Sequence, residues 1–308
     1  MICDRRTLLA ALASGLGASR LGAAPDADHT RLILLGTAGG PRPLKDRSAP
    51  AQAIVSGGSI YVIDCGYGVA RQMVLAGLPL NRLRHVFITH HHSDHDIDLG
   101  PLLQLAWLSG LVTPVDCWGP PPMQQMIADY LRYEAYDIRM RESDEHRPPL
   151  RPLIRTHELS GGGPVMDDGR MRVSAAKVVH PPIDLALAYR FDAPDRSIVI
   201  SGDTRPTDTL IRLAKGADVL VHEAMMPDRV VQLVGSLPNG QELARSVLSH
   251  HTSAEQAGEV AAAAGVKMLV LSHLVPAEDP AVPDAEWIAA ARRHYSGPVV
   301  VGRDLMQI

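Results

Sequence analysis

Residues 86–100, VFITHHHSDHDIDLG, gather four histidines and three aspartates in one short run. The apolar residues that open the run read as a strand, so His90 and His92 project to one side and His91 to the other. Asp94 and His95 fall where the chain turns toward a helix, ahead of 99-LGPLLQLAWL-108. The pattern is His-x-His-x-Asp-His. Neutral imidazole and carboxylate are the ligands that hold zinc or a similar divalent metal in a site kept open for chemistry. A solvated loop or a core histidine cluster is the bland alternative, but burying so many polar groups without a cation is costly.

Four neighbouring residues cannot complete a site for two metals, so the fold has to deliver partners from afar. Three candidates share one position, the carboxyl end of a predicted strand: His180 after 177-KVV-179, Asp203 in 200-ISGDT-204 and His273 in 269-LVLSH-273. In layered α/β folds that edge is where sites assemble. Predicted strands run over 31-RLILLG-36, 59-SIYVID-64, 85-HVFIT-89, 172-RVSAAKVV-179, 197-SIVIS-201, 218-DVLVH-222 and 268-MLVLS-272. Residues 119–138 read as a loop entering a helix. A second helix is signposted by a capping-box pattern at Thr252 and Glu255, an Ala-rich stretch, and Gly265 at its end. Between about Arg139 and Asp168 charge, Pro and Gly predict an irregular excursion.

The N-terminus reads as an address. Arg5 and Arg6 precede an apolar run and the small residues Gly22, Ala23 and Ala24, the build of an export signal over residues 1–24 that resembles the twin-arginine type. This predicts an exported, periplasmic protein whose one folded domain spans residues 30–308. The apolar run is too short for a good membrane span, and no later stretch is long and apolar enough. Cys3 falls in the signal, while Cys65 and Cys117 sit in the apolar contexts of buried thiols and are expected to be unpaired. A formal net charge of −4 argues against a broad basic surface for nucleic acid.

Several stretches together resemble the metallo-β-lactamase superfamily of dinuclear metallohydrolases: 35-LGTAGG-40, 62-VIDCG-66, 89-THHHSDH-95, 201-SGDTRP-206, 221-VHEA-224 and 251-HTSAEQAGEVAAAAGVKMLVLSH-273. The resemblance covers roughly residues 30–308 and is closest to the branch of ribonuclease Z and related phosphodiesterases and arylsulfatases. It implies an α/β layered αββα sandwich, two mixed sheets flanked by helices, with the metals at one edge between the sheets. Carried over by position, His90, His92 and His180 hold one metal, Asp94, His95 and His273 the other, and Asp203 bridges. Zinc is the default, with manganese or iron able to occupy such ligands. The carboxylate at Asp203, where the best-known β-lactamases have a cysteine, and the imidazole at His92, where the diiron branch has a carboxylate, argue against both of those groups.

The same resemblance implies two catalytic residues. Two close cations make a bridging water acidic; Asp94 would orient the resulting hydroxide. His251, in the His-Thr-Ser-Ala-Glu-Gln-Ala stretch, would stabilise charge or protonate the leaving group, a capping or packing role being the alternative. His222 with Glu223 is either support for a ligand or a packed strand end, and Asp98 either orients a ligand or starts a helix. His29, His85, His91, His146, His157 and His294 carry no motif and default to structure or surface. Ribonuclease Z inserts a tRNA-gripping arm between the third-motif histidine and the bridging aspartate, whereas residues 180–203 here leave room for only a hairpin. With the acidic balance and the signal, this sets nucleic acid aside. The expectation is therefore hydrolysis of a small phosphodiester or aryl sulfate ester by metal-bound hydroxide. A carbonyl substrate (lactone, thioester or β-lactam) is the alternative, and tRNA 3′ processing or a metal-binding protein without turnover rank below it. Homodimerisation stays open.

Overall fold

The computed structural model describes residues 29–235, 237–277 and 282–308; the predicted export signal lies outside the described residues. A six-stranded sheet holds β1 (Arg31–Gly36), β2 (Ala51–Ser56), β3 (Ser59–Ile63), β4 (Leu83–Phe87), β5 (Val115–Gly119) and β6 (Ile154–Glu158) in sequence order. A seven-stranded sheet holds β7 (Gly163–Asp167), β8 (Arg172–Val178), β9 (Ala186–Asp192), β10 (Ser197–Ile200), β11 (Val219–Met225), β12 (Leu269–Val275) and β13 (Val299–Val301), again in order. Both are mixed: the first turns parallel from β3 onward, the second from β10 onward.

The inner faces of the two sheets meet in one apolar cluster that includes Leu32, Ile63, Phe87, Tyr189, Ile200 and Val221. The outer face of the first sheet packs on helices Val69–Leu75 and Leu99–Leu108, and that of the second on Asp208–Ala214, Ala254–Ala264 and Asp284–Ala291. Each sheet buries both faces, which explains the near-continuous apolar runs of its central strands. The layering is helix–sheet–sheet–helix, the predicted αββα sandwich.

The topology also fixes where the site falls. β8 and β10 are each antiparallel to β9, so they run the same way, and β11 and β12 are parallel to β10. Their carboxyl ends therefore share one edge, opposite the ends of the parallel strands β3 and β4. Residues 180–203 form the β9–β10 hairpin and no arm, as the short spacing required.

Two local readings need correction. The stretch from about Arg139 to Asp168 is not irregular: it contains the end of helix Ala135–Asp144 and the edge strands β6 and β7. Edge strands keep one side in water, so they tolerate the Pro, Gly and charge that suggested a loop. The capping box lies one residue later than predicted. Ser253 is the N-cap, its hydroxyl accepting from the Gln256 amide while the Gln256 side chain accepts from the Ser253 amide. Thr252 is buried and instead donates to the carbonyl of Thr204.

Candidate metal centre

The short run after β4 splits as its alternation requires. His90 is buried, His92 half-buried, and Asp94 and His95 lie in the one-turn helix Ser93–Asp96. His91 faces away, pairing with Asp96 at 2.8 Å and donating to the carbonyl of Pro120 at 2.8 Å. Asp98 begins helix Leu99–Leu108, yet its carboxylate accepts from the amide of Gly68 at 2.7 Å, so it ties down the start of helix Val69–Leu75.

His90, His92, His180 and Asp203 converge, as do Asp94, His95 and His273; each set offers ligand atoms within 4.8 Å of one another. His90 Nε2 lies 3.1 Å from His92 Nδ1, which lies 3.2 Å from His180 Nε2. Nitrogens bound tetrahedrally at 2.0–2.1 Å to one zinc stand roughly 3.3 Å apart, so this spacing fits a shared cation. The other ring nitrogens decide the protonation. His180 Nδ1 donates to the carbonyl of His250 at 3.2 Å, and His90 Nδ1 donates to Thr89 Oγ1 at 3.0 Å, whose own proton goes to Asp64. His90 and His180 thus turn bare lone pairs toward the same point, and burial pushes the His180 imidazole down to about 4, which keeps it neutral.

Asp203 stands between the two sets. Its Oδ1 is 3.4 Å from His95 Nε2, and its Oδ2 is 3.2 Å from His273 Nε2 and 3.8 Å from His90 Nε2 and His180 Nε2. Asp94 Oδ2 lies 3.6 Å from His95 Nε2 and 3.5 Å from His273 Nε2. Although burial opposes its ionisation, those two imidazoles hold the Asp94 carboxyl down to about 2. Among the described residues, His95 Nε2, His273 Nε2 and Asp203 Oδ1 are buried and accept or donate no hydrogen bond. Unpaired buried polar atoms are expensive; divalent cations at these two positions would pair all three. The residues fit the metals.

His273 reaches the site by a device that its sequence position does not announce. β12 runs on to Val275 rather than stopping at Ser272, and β11 pairs Glu223 with Ser272 but Ala224 with Leu274. His273 is the extra residue of a bulge, with φ of 45°, and so leaves the strand's alternation. Gly39 makes room: a Cβ there would lie 2.8 Å from His273 Nδ1.

Two carboxylates position the cluster: Asp64, which the sequence did not mark as functional, and Glu223, which it left between support for a ligand and a packed strand end. Asp64, at the end of β3 with φ of 59°, accepts from His95 Nδ1 at 2.8 Å and from the Thr89 amide and hydroxyl at 2.8 and 3.0 Å. One carboxylate thereby orients His95 directly and His90 through Thr89. The signal was available, since Asp64 ends a predicted strand at the same edge as the ligands. Replacing it by asparagine is expected to weaken metal affinity about 10–100-fold, read by competition against a chromophoric chelator.

Glu223 resolves the open pair at 222–223. Its carboxylate accepts from the Thr204 amide at 2.5 Å and pairs with His251 Nδ1 at 2.8 Å. Burial works against the His251 charge, but Glu223 outweighs it and lifts the imidazole to about 9. His222 faces the other way, fully buried, donating from Nδ1 to the carbonyl of Glu223, and burial depresses it to about 4. His85, His157 and His294 lie elsewhere: His85 stacks on Tyr61, His157 pairs with Asp116, and His294 sits by Glu255. Cys65 and Cys117 are free and buried.

A sandwich of two mixed sheets carrying this histidine–aspartate edge defines a metal-dependent hydrolase. Comparison with known proteins agrees, and the chain belongs to the β-lactamase superfamily: the family model described as "Beta-lactamase superfamily domain" matches residues 60–274. Among curated relatives, Ribonuclease Z of Mycobacterium sp. (strain KMS) is 36% identical over 281 residues, covering 90% of this chain and 95% of the relative. Ribonuclease Z of Mycobacterium bovis (strain BCG / Pasteur 1173P2) is 32% identical over 280 residues, covering 90% and 97%. Among solved structures, human tRNase Z, short form, superposes with a TM-score of 0.66 at 22% identity, covering 90% of this chain and 98% of that one. The metallo-β-lactamase fold protein YhfI from Bacillus subtilis gives 0.66 at 20%, covering 91% and 99%.

These relatives overturn the substrate expectation. A small phosphodiester or aryl sulfate was favoured, and nucleic acid set aside, because residues 180–203 lack an arm. The mycobacterial relatives carry the ribonuclease name and are matched over 95–97% of their length, so they have no room for a long segment that this chain lacks. A missing arm therefore does not separate this chain from ribonucleases. Net charge was no better a guide, since −4 over the whole chain is silent about the rim of one cleft.

Proposed function

We propose that the chain is a ribonuclease of the ribonuclease Z type, which hydrolyses a phosphodiester bond in RNA, with precursor tRNA as the first substrate to test. The observation that carries this reading is the match to curated ribonucleases over nearly their whole length, joined to a cleft lined by Asp94, Asp203, His251 and His273. His90, His92 and His180 would hold one divalent cation, Asp94, His95 and His273 a second, and Asp203 would bridge. Zinc suits this imidazole-rich set. When bound, the cations would draw charge from the phosphoryl oxygens and acidify a water.

The chain's own residues supply the remaining steps. Asp94 accepts a hydrogen bond from the attacking water and aims its oxygen at phosphorus, while the water's proton is shed to solvent. As the bond from phosphorus to the leaving oxygen breaks, His251 gives that oxygen a proton. Glu223 keeps the His251 ring in place through Nδ1 and leaves Nε2 for this transfer. The products are a phosphomonoester and a free hydroxyl, and His251 recovers its proton from solvent.

The test uses the full chain loaded with zinc, and in parallel with manganese or iron, on precursor tRNA and on unstructured RNA. One or more internal bonds should be cut; EDTA should stop cleavage, and added metal should restore it. Intact RNA under every metal would refute the ribonuclease reading.

A further inference from the structure

The cleft beside the metal residues has two unlike sides. His92, Ser93, Asp94, Asp203, His251 and His273 give it a polar lining, and Pro41, Val247 and Val275 an apolar one, in a cavity of about 250 Å³. The apolar surface continues outward. Gly40, Pro41, Val247 and Val275 also border a neighbouring hollow of about 110 Å³, lined besides by Leu44, Leu233 and Leu243 and by the charged Arg42. Helices Pro227–Val234 and Gly240–His250 supply Val230, Leu233, Val234, Leu243 and Val247 to this wall, and the second of them ends at the residue before His251. The His251 amide donates to the carbonyl of Val247 at 3.2 Å, so the wall starts one helical turn from the candidate proton donor.

We infer that Val247, Val275 and Pro41 form the subsite for the base of the nucleotide that carries the leaving oxygen. The inference rests on the ribonuclease reading and adds to it the residues that grip the substrate. A leaving oxygen within reach of His251 has its ribose and base attached to it. A base joined to that oxygen through one ribose stays close to His251, and Val247, one helical turn before His251, is the apolar side chain of the cleft nearest to it along the chain. The three wall side chains offer a base only apolar contact and no hydrogen-bonding group. Such a surface takes the face of any base and excludes water from it, without reading its edge. The subsite therefore supplies affinity next to the cut with little preference for base identity.

The experiment crosses two changes in the metal-loaded full chain. Val247→Ser and Val275→Ser are each assayed on an RNA of fixed cleavage position, on the same RNA with an abasic ribose at the leaving-side nucleotide, and on one with the abasic ribose across the cut. Metal content and melting temperature check that the variants fold as the parent does. In the parent, removing the leaving-side base should raise KM about tenfold, and each serine variant should do the same on intact RNA. Combining base loss with Val247→Ser should add little, because both remove the same contact. Exchanging the base identity at that nucleotide should change KM by less than about threefold. Penalties that multiply, a penalty confined to the nucleotide across the cut, or serine variants indistinguishable from the parent would each overturn the subsite while leaving the ribonuclease reading intact. A parent enzyme that cuts no RNA would instead remove the reading, and the subsite with it.

Discussion

Asp203→Ala is expected to lower RNA cleavage by at least about a thousandfold and to release bound metal. The reason is position rather than charge alone. Asp203 presents Oδ1 to His95 and Oδ2 to His273, and that same Oδ2 stands 3.8 Å from both His90 and His180. Its two oxygens face both ligand sets, so its loss would remove an anionic ligand from each proposed cation at once. The imidazoles left behind would meet with no carboxylate between them, and the loss of an electrostatic group at the reacting centre is worth about two to three decades even without metal loss. Metal analysis after gel filtration and initial rates on RNA, measured on one preparation, check both halves. An Asp203→Ala protein that keeps full metal and full rate would end the two-metal model. Asp203→Asn separates the causes: it keeps the shape and one oxygen acceptor, so it should retain more metal than the alanine variant while still losing most of the rate.

How far the sequence led can be read from particular residues. The layered fold and the convergence of the seven residues expected to hold metal were accessible because they are local signals: a dense run after one strand, and single polar residues where apolar strands end. The partners of the supporting carboxylates were not, although Asp64 ends such a strand and Glu223 was already a candidate for support. Asp64 and Glu223 act through hydrogen bonds to His95, Thr89 and His251, which lie far away along the chain, and nothing in a strand-ending aspartate tells which imidazole it will meet. The bulge at His273 was equally hidden, because pairing register depends on the neighbouring strand β11. The one-residue slip in the capping box has a similar origin. Thr252 has the chemistry of a cap, but the Thr204 carbonyl claims its hydroxyl and leaves the cap to Ser253.

The substrate failed for a different reason. A segment that is missing was taken to exclude a partner, whereas full-length relatives with the ribonuclease name have no more room for it than this chain does. Absence of a known gripping device constrains how RNA is held, not whether it is held. On the proposed ribonuclease reading, recognition would fall to the cleft itself, where helix Gly240–His250 leads into His251 and Val247 lines the metal edge with Val275 and Pro41.

His251→Ala should leave metal content close to that of the parent while lowering the maximal rate by roughly two to four decades, the usual scale for a lost acid or oxyanion partner. The geometry allows a competing role, because His251 also falls within ligand distance of Asp203 and His273. Two facts favour the proton donor. His251 Nδ1, the atom 3.9 Å from Asp203, is already engaged by Glu223 at 2.8 Å, and the ring, 13% exposed, lines the open cleft where a substrate's leaving oxygen can arrive. The partner variant Glu223→Gln supplies the control. It keeps a hydrogen-bonding group beside the ring but removes the charge that favours the protonated imidazole, so the rate should fall by about one to two decades with metal retained. If His251→Ala loses one equivalent of metal, the residue is a ligand and the leaving oxygen must take its proton from elsewhere. If metal stays and the rate on a substrate with a strongly acidic leaving group recovers to within about tenfold of the parent, proton donation is the step that His251 performs, because such a leaving group departs without needing the proton.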